Sequence, residues 1–287
     1  MSTVAVLGLG AMGLRMAKKL LETGHDVVVY NRTGARARTL EAEGATRADS
    51  PREAAARSEF VIGMVTDDGA SRAVWLDANT GAIGGLREGA VAIESSTLTP
   101  AWVRELADAV AARGAGFLDA PVVGSRPQAE AGQLIYCVGG ATETLAKARE
   151  VLSAMGAAIH HLGPVGAGIA VKLAVNAFFG IQVAAMGEIL GLLRKSGIDV
   201  KLAVEVLGTL STTSPALKAV AGQVAARSYA PLFPINLVEK DFRYITESAA
   251  QINAPVPASK AVRDVYARAL RAGYGDDNIS GIAQLFD

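Results

Sequence analysis

The chain has 287 residues, and its 28 Lys and Arg balance 28 Asp and Glu, so charge selects neither a nucleic acid nor an acidic membrane surface as partner. With 51% hydrophobic residues, a chain of this length builds one or two domains with an ample core. The single cysteine, Cys137, excludes an intrachain disulfide and fits a reducing compartment; it lies in the apolar run 134–138 and reads as core rather than nucleophile. The opening MSTVAVLGLG has no basic segment before its apolar run, so a cytoplasmic location is expected rather than secretion.

Residues 3–7 form a short β-rich run, followed by Gly8-Leu9-Gly10-Ala11-Met12-Gly13, a helical pattern over 14–22 closed by Gly24, and a second strand at 26–30 (DVVVY). A G-x-G-x-x-G between a strand and a helix is the context that dinucleotide binding requires. The first glycine permits the turn, the second lets backbone approach a pyrophosphate, and the third allows close packing of helix on strand. The helix N-terminus offers N–H groups to the phosphates. At the end of the second strand an NAD site carries an acid for the ribose 2′-hydroxyl. Here the chain reads Asn31-Arg32-Thr33, with Arg36 and Arg38 nearby. An arginine there pairs with a 2′-phosphate, so NADP(H) is the expected cofactor; the competing reading is that Arg32 is merely solvated.

The alternation continues with strands at 59–65, 90–93, 116–119, 133–138 and 157–161 and helices at 68–77, 100–113 and 142–155. This pattern predicts a doubly wound, mostly parallel α/β sheet of Rossmann type, with ligands at the strand C-termini. The loops 65–68 (with Val65 and Thr66), 94–97 and 120–125 are where a site should lie. The rhythm stops near Gly163-Pro164, which sets domains at 1–164 and 165–287. The stretch 166–197 reads as one helix roughly 40 Å long, apolar nearly all round, joining the two domains. Lys172 and Asn176 interrupt it at i, i+4 and share one face. By themselves they are a snorkelling lysine beside a packing asparagine, or a functional pair. The remainder is all-helical: 199–208, 216–226, 236–251, 257–272 and a last short segment at 280–286. His25, His160 and His161 have no ligand-like spacing, so no metal is expected.

GLGAMG, ESST, DAPVVGSRPQAEAG, GAGIAVKLAVN, PLFPINLVEKD and GYGDDNISGI occur in this order, and the chain resembles the β-hydroxyacid dehydrogenase family along essentially its whole length. NRT after the second strand is similar to the NADPH-dependent glyoxylate and succinic semialdehyde reductases within that family. The resemblance implies Lys172 as catalytic lysine assisted by Asn176. It implies Thr97, Val123, Gly124, Phe233 and Asp241 as substrate contacts, and Gly8 to Gly13, Asn31, Arg32, Thr33, Val65, Thr66, Thr97 and Lys240 on the cofactor side. Hydride reduction of a carbonyl builds negative charge on oxygen, which an ammonium can stabilise and protonate. One position departs from the family: its D-A-P-V-S-G is Asp119-Ala120-Pro121-Val122-Val123-Gly124 here. Either backbone N–H groups still hold a substrate carboxylate, or the pocket is more apolar and selects it less. The expected substrate is a small carbonyl compound or hydroxy acid, and the expected assembly a homodimer or homotetramer. The rivals are an imine or ketone reductase on the same scaffold and a non-catalytic NADP sensor; keeping Lys172 argues against both, while Val123 argues mildly for the first.

Overall fold

Strand β1 (Thr3–Leu7) is buried from Val4 to Leu7, as expected for a strand covered on both faces. In the computed structural model, which describes all 287 residues, it leads through the glycine turn into α1 (Gly13–Glu22) and β2 (Asp26–Tyr30). Helix α1 buries Gly13, Met16, Ala17 and Leu20, the i, i+3, i+4, i+7 stripe that lays it on the sheet. Short elements follow: α2 (Arg38–Ala42), β3 (Thr46–Arg47) and α3 (Pro51–Ala56). Next come β4 (Phe60–Gly63), α4 (Asp68–Leu76), β5 (Val91–Glu94), α5 (Pro100–Ala111) and β6 (Gly116–Asp119). Asp67, Ser50 and Thr99 cap α4, α3 and α5 through their side chains, and Pro51 and Pro100 occupy first-turn positions where no N–H is needed.

The chain then forms β7 (Val122–Val123), α6 (Arg126–Glu130), β8 (Leu134–Gly140), α7 (Thr142–Met155) and β9 (Gly156–Gly163). All nine strands share one sheet, ordered β3-β2-β1-β4-β5-β6-β8-β7, with β9 paired to β8. The pairs from β3 through β6 are parallel. Strand β8 runs antiparallel to β6 and β7, which lie end to end along it in one register (Leu118 and Asp119 opposite Gly140 and Gly139, Val122 and Val123 opposite Tyr136 and Ile135). Pro121, which has no N–H to donate, falls at the break between them.

The α/β pattern is as expected, with differences at element ends and in short pieces. The strand expected over 59–65 is β4 at 60–63, because Val65 and Thr66 already belong to the loop. The two-residue strands β3 and β7 and the short helices α2, α3 and α6 carry no periodic signal and were not expected.

From there the chain is helical: α8 (Ala167–Lys195), α9 (Val200–Leu207), α10 (Pro215–Ala225), α11 (Ile235–Gln251), α12 (Pro257–Arg271) and a closing 3₁₀ segment at Ile279–Phe286. Two compact units result, Met1–Lys172 and Leu173–Asp287, and the division falls inside α8. The first has its core between sheet and helices, around Val6, Met16, Leu20, Ile62, Ile93 and Tyr136. The second is built around Val183, Leu190, Val220, Phe242, Tyr266 and Ile282, where Phe242 stacks on Tyr266 with centroids 5.4 Å apart.

Burial of α8 is less complete than its apolar circumference predicts. Val171, Val175, Phe178, Ile189 and Leu192 are exposed, Phe178 at 70% and Leu192 at 60%. By length and composition α8 is the one helix that could cross a membrane, but half of its most apolar window is buried inside the protein. Its polar residue Asn176 is buried as well and has a protein partner, as a core helix requires.

Candidate active site

The glycine turn is built for a close backbone approach. Gly8 has φ +104°, and a Cβ there would lie 2.3 Å from the Met64 carbonyl oxygen. A Cβ on Gly13 would lie 2.0 Å from the Gly8 carbonyl oxygen. These two glycines are required by the fold. Gly10 differs: its backbone is unstrained, and a Cβ would meet nothing within 4 Å. Helix α1 starts behind Met12 with no side-chain cap, leaving its opening N–H groups free of a side-chain acceptor. Open space over Gly10 beside an uncapped helix start fits a pyrophosphate. Met12 and Met64, both half-buried, flank this turn.

Asn31 joins the turn to β2. The Leu9 N–H donates to its Oδ1 at 2.9 Å, its Nδ2 donates to the Thr33 carbonyl at 3.0 Å, and the Gly8 N–H donates to the Tyr30 carbonyl. The carboxamide thus supports the turn, while Leu9 itself is buried and Ala11 is exposed. Arg32, Arg36 and Arg38 are exposed and take part in none of the salt bridges. The end of β2 therefore presents uncompensated positive charge.

The loops after β4 and β5 are tied together by a buried carboxyl. Glu94 Oε2 accepts from Ser71 Oγ at 2.7 Å and from Trp75 Nε1 at 2.8 Å, and its Oε1 accepts from the Ser96 N–H at 2.9 Å. Ser96 Oγ in turn accepts from the Val65 N–H at 2.8 Å. Burial pushes the Glu94 pKa up, against the pull of these donors. Asp68 adds a second tie, accepting from the Thr99 N–H and hydroxyl at 3.0 and 2.6 Å. Val65, Thr66 and Thr97, expected at the cofactor, sit on loops fixed in this way. Nothing in the spacing of the sequence marks Ser71 and Trp75 as partners of Glu94.

In the loop after β6, Val123 is half-buried, and Gly124 has φ +127° and is exposed. Ser125 follows Gly124 directly. It opens α6 with a capping box, its N–H donating to Gln128 Oε1 at 2.9 Å and its hydroxyl oxygen taking the Gln128 N–H.

Lys172 is buried, at 8% exposure, and its positive charge partly offsets the upward shift that burial gives the neighbouring Cys137 thiol. It does not snorkel. One turn on, Asn176 is equally buried and donates from Nδ2 to Asp241 Oδ2 at 2.6 Å. Asp241, at 4% exposure, also faces Lys240 Nζ at 3.2 Å from Oδ1, and Lys240 lies 5.1 Å from the centre of the Tyr244 ring. The Lys240-Asp241 pair is therefore a buried pair, whereas Glu239 pairs at the surface side with Arg263. With Nδ2 donating to Asp241, the Asn176 carboxamide is oriented and its Oδ1 can accept a hydrogen bond from another group. Phe233 is half-buried, and its N–H donates to Asn278 Oδ1 at 2.9 Å, as does that of Leu232 at 3.1 Å. The buried Asn278 also donates to Gln223 and Ser280, a hub that no sequence pattern announced.

The first unit thus carries the glycine turn, Asn31 to Thr33, Val65, Thr66, Thr97, Val123, Gly124 and Lys172; the second carries Asn176, Phe233, Lys240 and Asp241. A buried ammonium one helical turn from an amide oriented by a carboxylate can hold and protonate an oxygen that is gaining negative charge.

Comparison with known proteins finds matches along nearly the whole chain. Residues 3–163 match the model of the NAD binding domain of 6-phosphogluconate dehydrogenase, and residues 166–286 that of the NAD-binding segment of NADP-dependent 3-hydroxyisobutyrate dehydrogenase. The chain is 32% identical to glyoxylate/succinic semialdehyde reductase 2 of Arabidopsis thaliana, over 98% of this chain and 78% of that one. It is 31% identical to an NAD-dependent L-serine dehydrogenase of Pseudomonas aeruginosa, over 100% and 98%. Among solved structures it is similar to 3-hydroxyisobutyrate dehydrogenase of Mycobacterium tuberculosis with L-serine, with TM-score 0.91, 29% identity and 99% of each chain covered.

Proposed function

The chain belongs to the β-hydroxyacid dehydrogenase family, an NAD(P)-dependent oxidoreductase by its matched domains and relatives, and from that premise we propose that Lys172 is its general acid and base. The proposed reaction is reduction of a small aldehyde or 2-oxo acid, of the glyoxylate or succinic semialdehyde type, or the reverse oxidation of a β-hydroxy acid. The observation that carries this reading is the buried lysine one turn from Asn176, whose amide is fixed by Asp241 at 2.6 Å. The nicotinamide, when bound, supplies or accepts the hydride. Lys172 protonates the carbonyl oxygen in reduction and removes the hydroxyl proton in oxidation. Asn176 Oδ1 orients the amine or accepts from the substrate hydroxyl. Val123 is paired with Ile135 in the sheet, so its N–H is held by β8 and the Gly124 N–H is the backbone donor proposed for a carboxylate.

We assign NADP(H) over NAD(H) because Arg32, with Arg36 and Arg38 beside it, is exposed and unpaired where an acid would otherwise meet the 2′-hydroxyl. We also propose a homodimer or homotetramer packed through the helical unit, where Leu192, Ile198, Leu202, Val206 and Leu210 are all exposed.

One assay tests the first two assignments: oxidation of NADPH and of NADH is followed with aldehydes, 2-oxo acids and a cyclic imine, for the wild type and Lys172→Ala. The expected outcome is NADPH-dependent turnover of a carboxylate-bearing carbonyl, lowered about 10²- to 10⁴-fold by the substitution. Wild-type rates in Lys172→Ala would remove the lysine from the mechanism, and a preference for NADH would overturn the cofactor assignment.

A further inference from the structure

Helix α8 starts without a cap of its own. The residues before it are Pro164, Val165 and Gly166, and none offers the side-chain oxygen that normally receives the first free N–H groups of a helix. Those groups are nevertheless satisfied, by a side chain far back in the sequence. Asp119, the last residue of β6, accepts the Gly166 N–H on Oδ1 at 2.9 Å and the Ile169 N–H on Oδ2 at 2.8 Å, and the Gly168 N–H also bonds to it. The Ala167 N–H goes to the Pro164 carbonyl. From Gly166 to Ile169 every N–H has an acceptor, and the carboxylate meets the positive end of the helix dipole.

The contact is close as well as bonded. Asp119 has no exposed surface. A Cβ on Gly168 would stand 2.4 Å from the Cys137 carbonyl oxygen and 2.6 Å from that of Asp119, and a Cβ on Gly139 would stand 2.3 Å from Asp119 Oδ1. The first turn of α8 therefore rests directly on the end of β6 and the middle of β8. Lys172 follows Ile169 by three residues, a rise of about 4.5 Å along the helix. Any displacement of that turn is handed on to the lysine with little room for correction.

We propose that Asp119 is a positioning residue for the reaction: its carboxylate docks the first turn of α8 on the sheet and so fixes where the Lys172 amine stands. This rests on the assignment of Lys172 as acid and base. Neutralising one side chain by Asp119→Asn keeps its shape but turns an NH₂ group toward backbone N–H donors, so one of the bonds is lost and the turn shifts. Gly168→Ala displaces the same turn with the carboxylate intact.

The test is the single-turnover rate of cofactor oxidation at saturating carbonyl, expressed per cofactor-binding site titrated by nicotinamide fluorescence. A side chain that only helped folding would lower the number of binding sites and leave the rate per site unchanged. The expected result is a drop of about 10- to 100-fold per site in both variants, with cofactor affinity unaltered. Wild-type rates per site in Asp119→Asn and Gly168→Ala, with Lys172→Ala inactive, would overturn the positioning role alone. Full activity in Lys172→Ala would overturn the lysine assignment and this inference with it.

Discussion

Gly8, Gly10 and Gly13 look alike in the sequence but answer to different demands. Gly8 and Gly13 are pressed against Met64 and each other, so the folded chain cannot exchange them. Gly10 has open space and ordinary backbone angles, and glycine there only adds freedom to the unfolded chain. Gly10→Ala is expected to leave the melting temperature unchanged or slightly higher while weakening cofactor binding; Gly13→Ala lowers both. Thermal melts with and without NADPH distinguish the two. At this scale the glycines and the i, i+4 pair Lys172 and Asn176 stand out by their spacing, and Asp241 only through the family resemblance. What they bond to does not. Asn31 reads as a cofactor contact, yet its carboxamide holds the Leu9 N–H. Asp119, Glu94 and Asn278 act through partners tens of residues away, and separations of that size leave no local pattern.

Among elements, strands of four or more residues and helices of eight or more were readable; Asp199 caps α9 by accepting from Lys201 and Leu202. Two-residue strands were not, because pairing with β2 or β8 makes them strands and their own residues do not. The Glu94 network belongs to this scale, since it ties the β4 and β5 loops and α4 into one unit. Ser71, Trp75 and the Ser96 N–H all donate to its oxygens, so Glu94→Gln must turn an NH₂ group against an N–H or hydroxyl. The expected cost is about 1–3 kcal/mol. The pH dependence has a definite sign. Burial raises the folded pKa of Glu94 above its reference of 4.5, so the native state holds the proton more tightly and wild-type stability falls as pH rises through that folded value. Glutamine has no such slope. The deficit of Glu94→Gln is therefore largest near pH 4.5 and shrinks toward pH 8, as urea midpoints across that range would record; a deficit that grows with pH would contradict the assignment.

For the molecule as a whole, the sequence gives an α/β half and a helical half, and family models divide the chain close to where its helical content changes. Burial round α8 was over-read, because apolar composition alone does not say whether the covering surface belongs to the same chain. Ile198, Leu202, Val206 and Leu210 expose a continuous i, i+4 row along α9 and just beyond it. If that row is covered by a second copy, Leu202→Glu should shift the protein toward monomer in sedimentation and lower its melting temperature, whereas a row that faces solvent would tolerate the charge. Sulfur is distributed unevenly through the same fold. Cys137 is buried with its pKa raised, Met16, Met155 and Met186 are buried, and Met1 is terminal, leaving Met12 and Met64 as the half-covered thioethers, both at the glycine turn. Peroxide should consequently spare the thiol and, after Met1, form sulfoxide first at the rim of the nucleotide turn, so that oxidative damage would reach this protein as lost coenzyme affinity before it reached the fold.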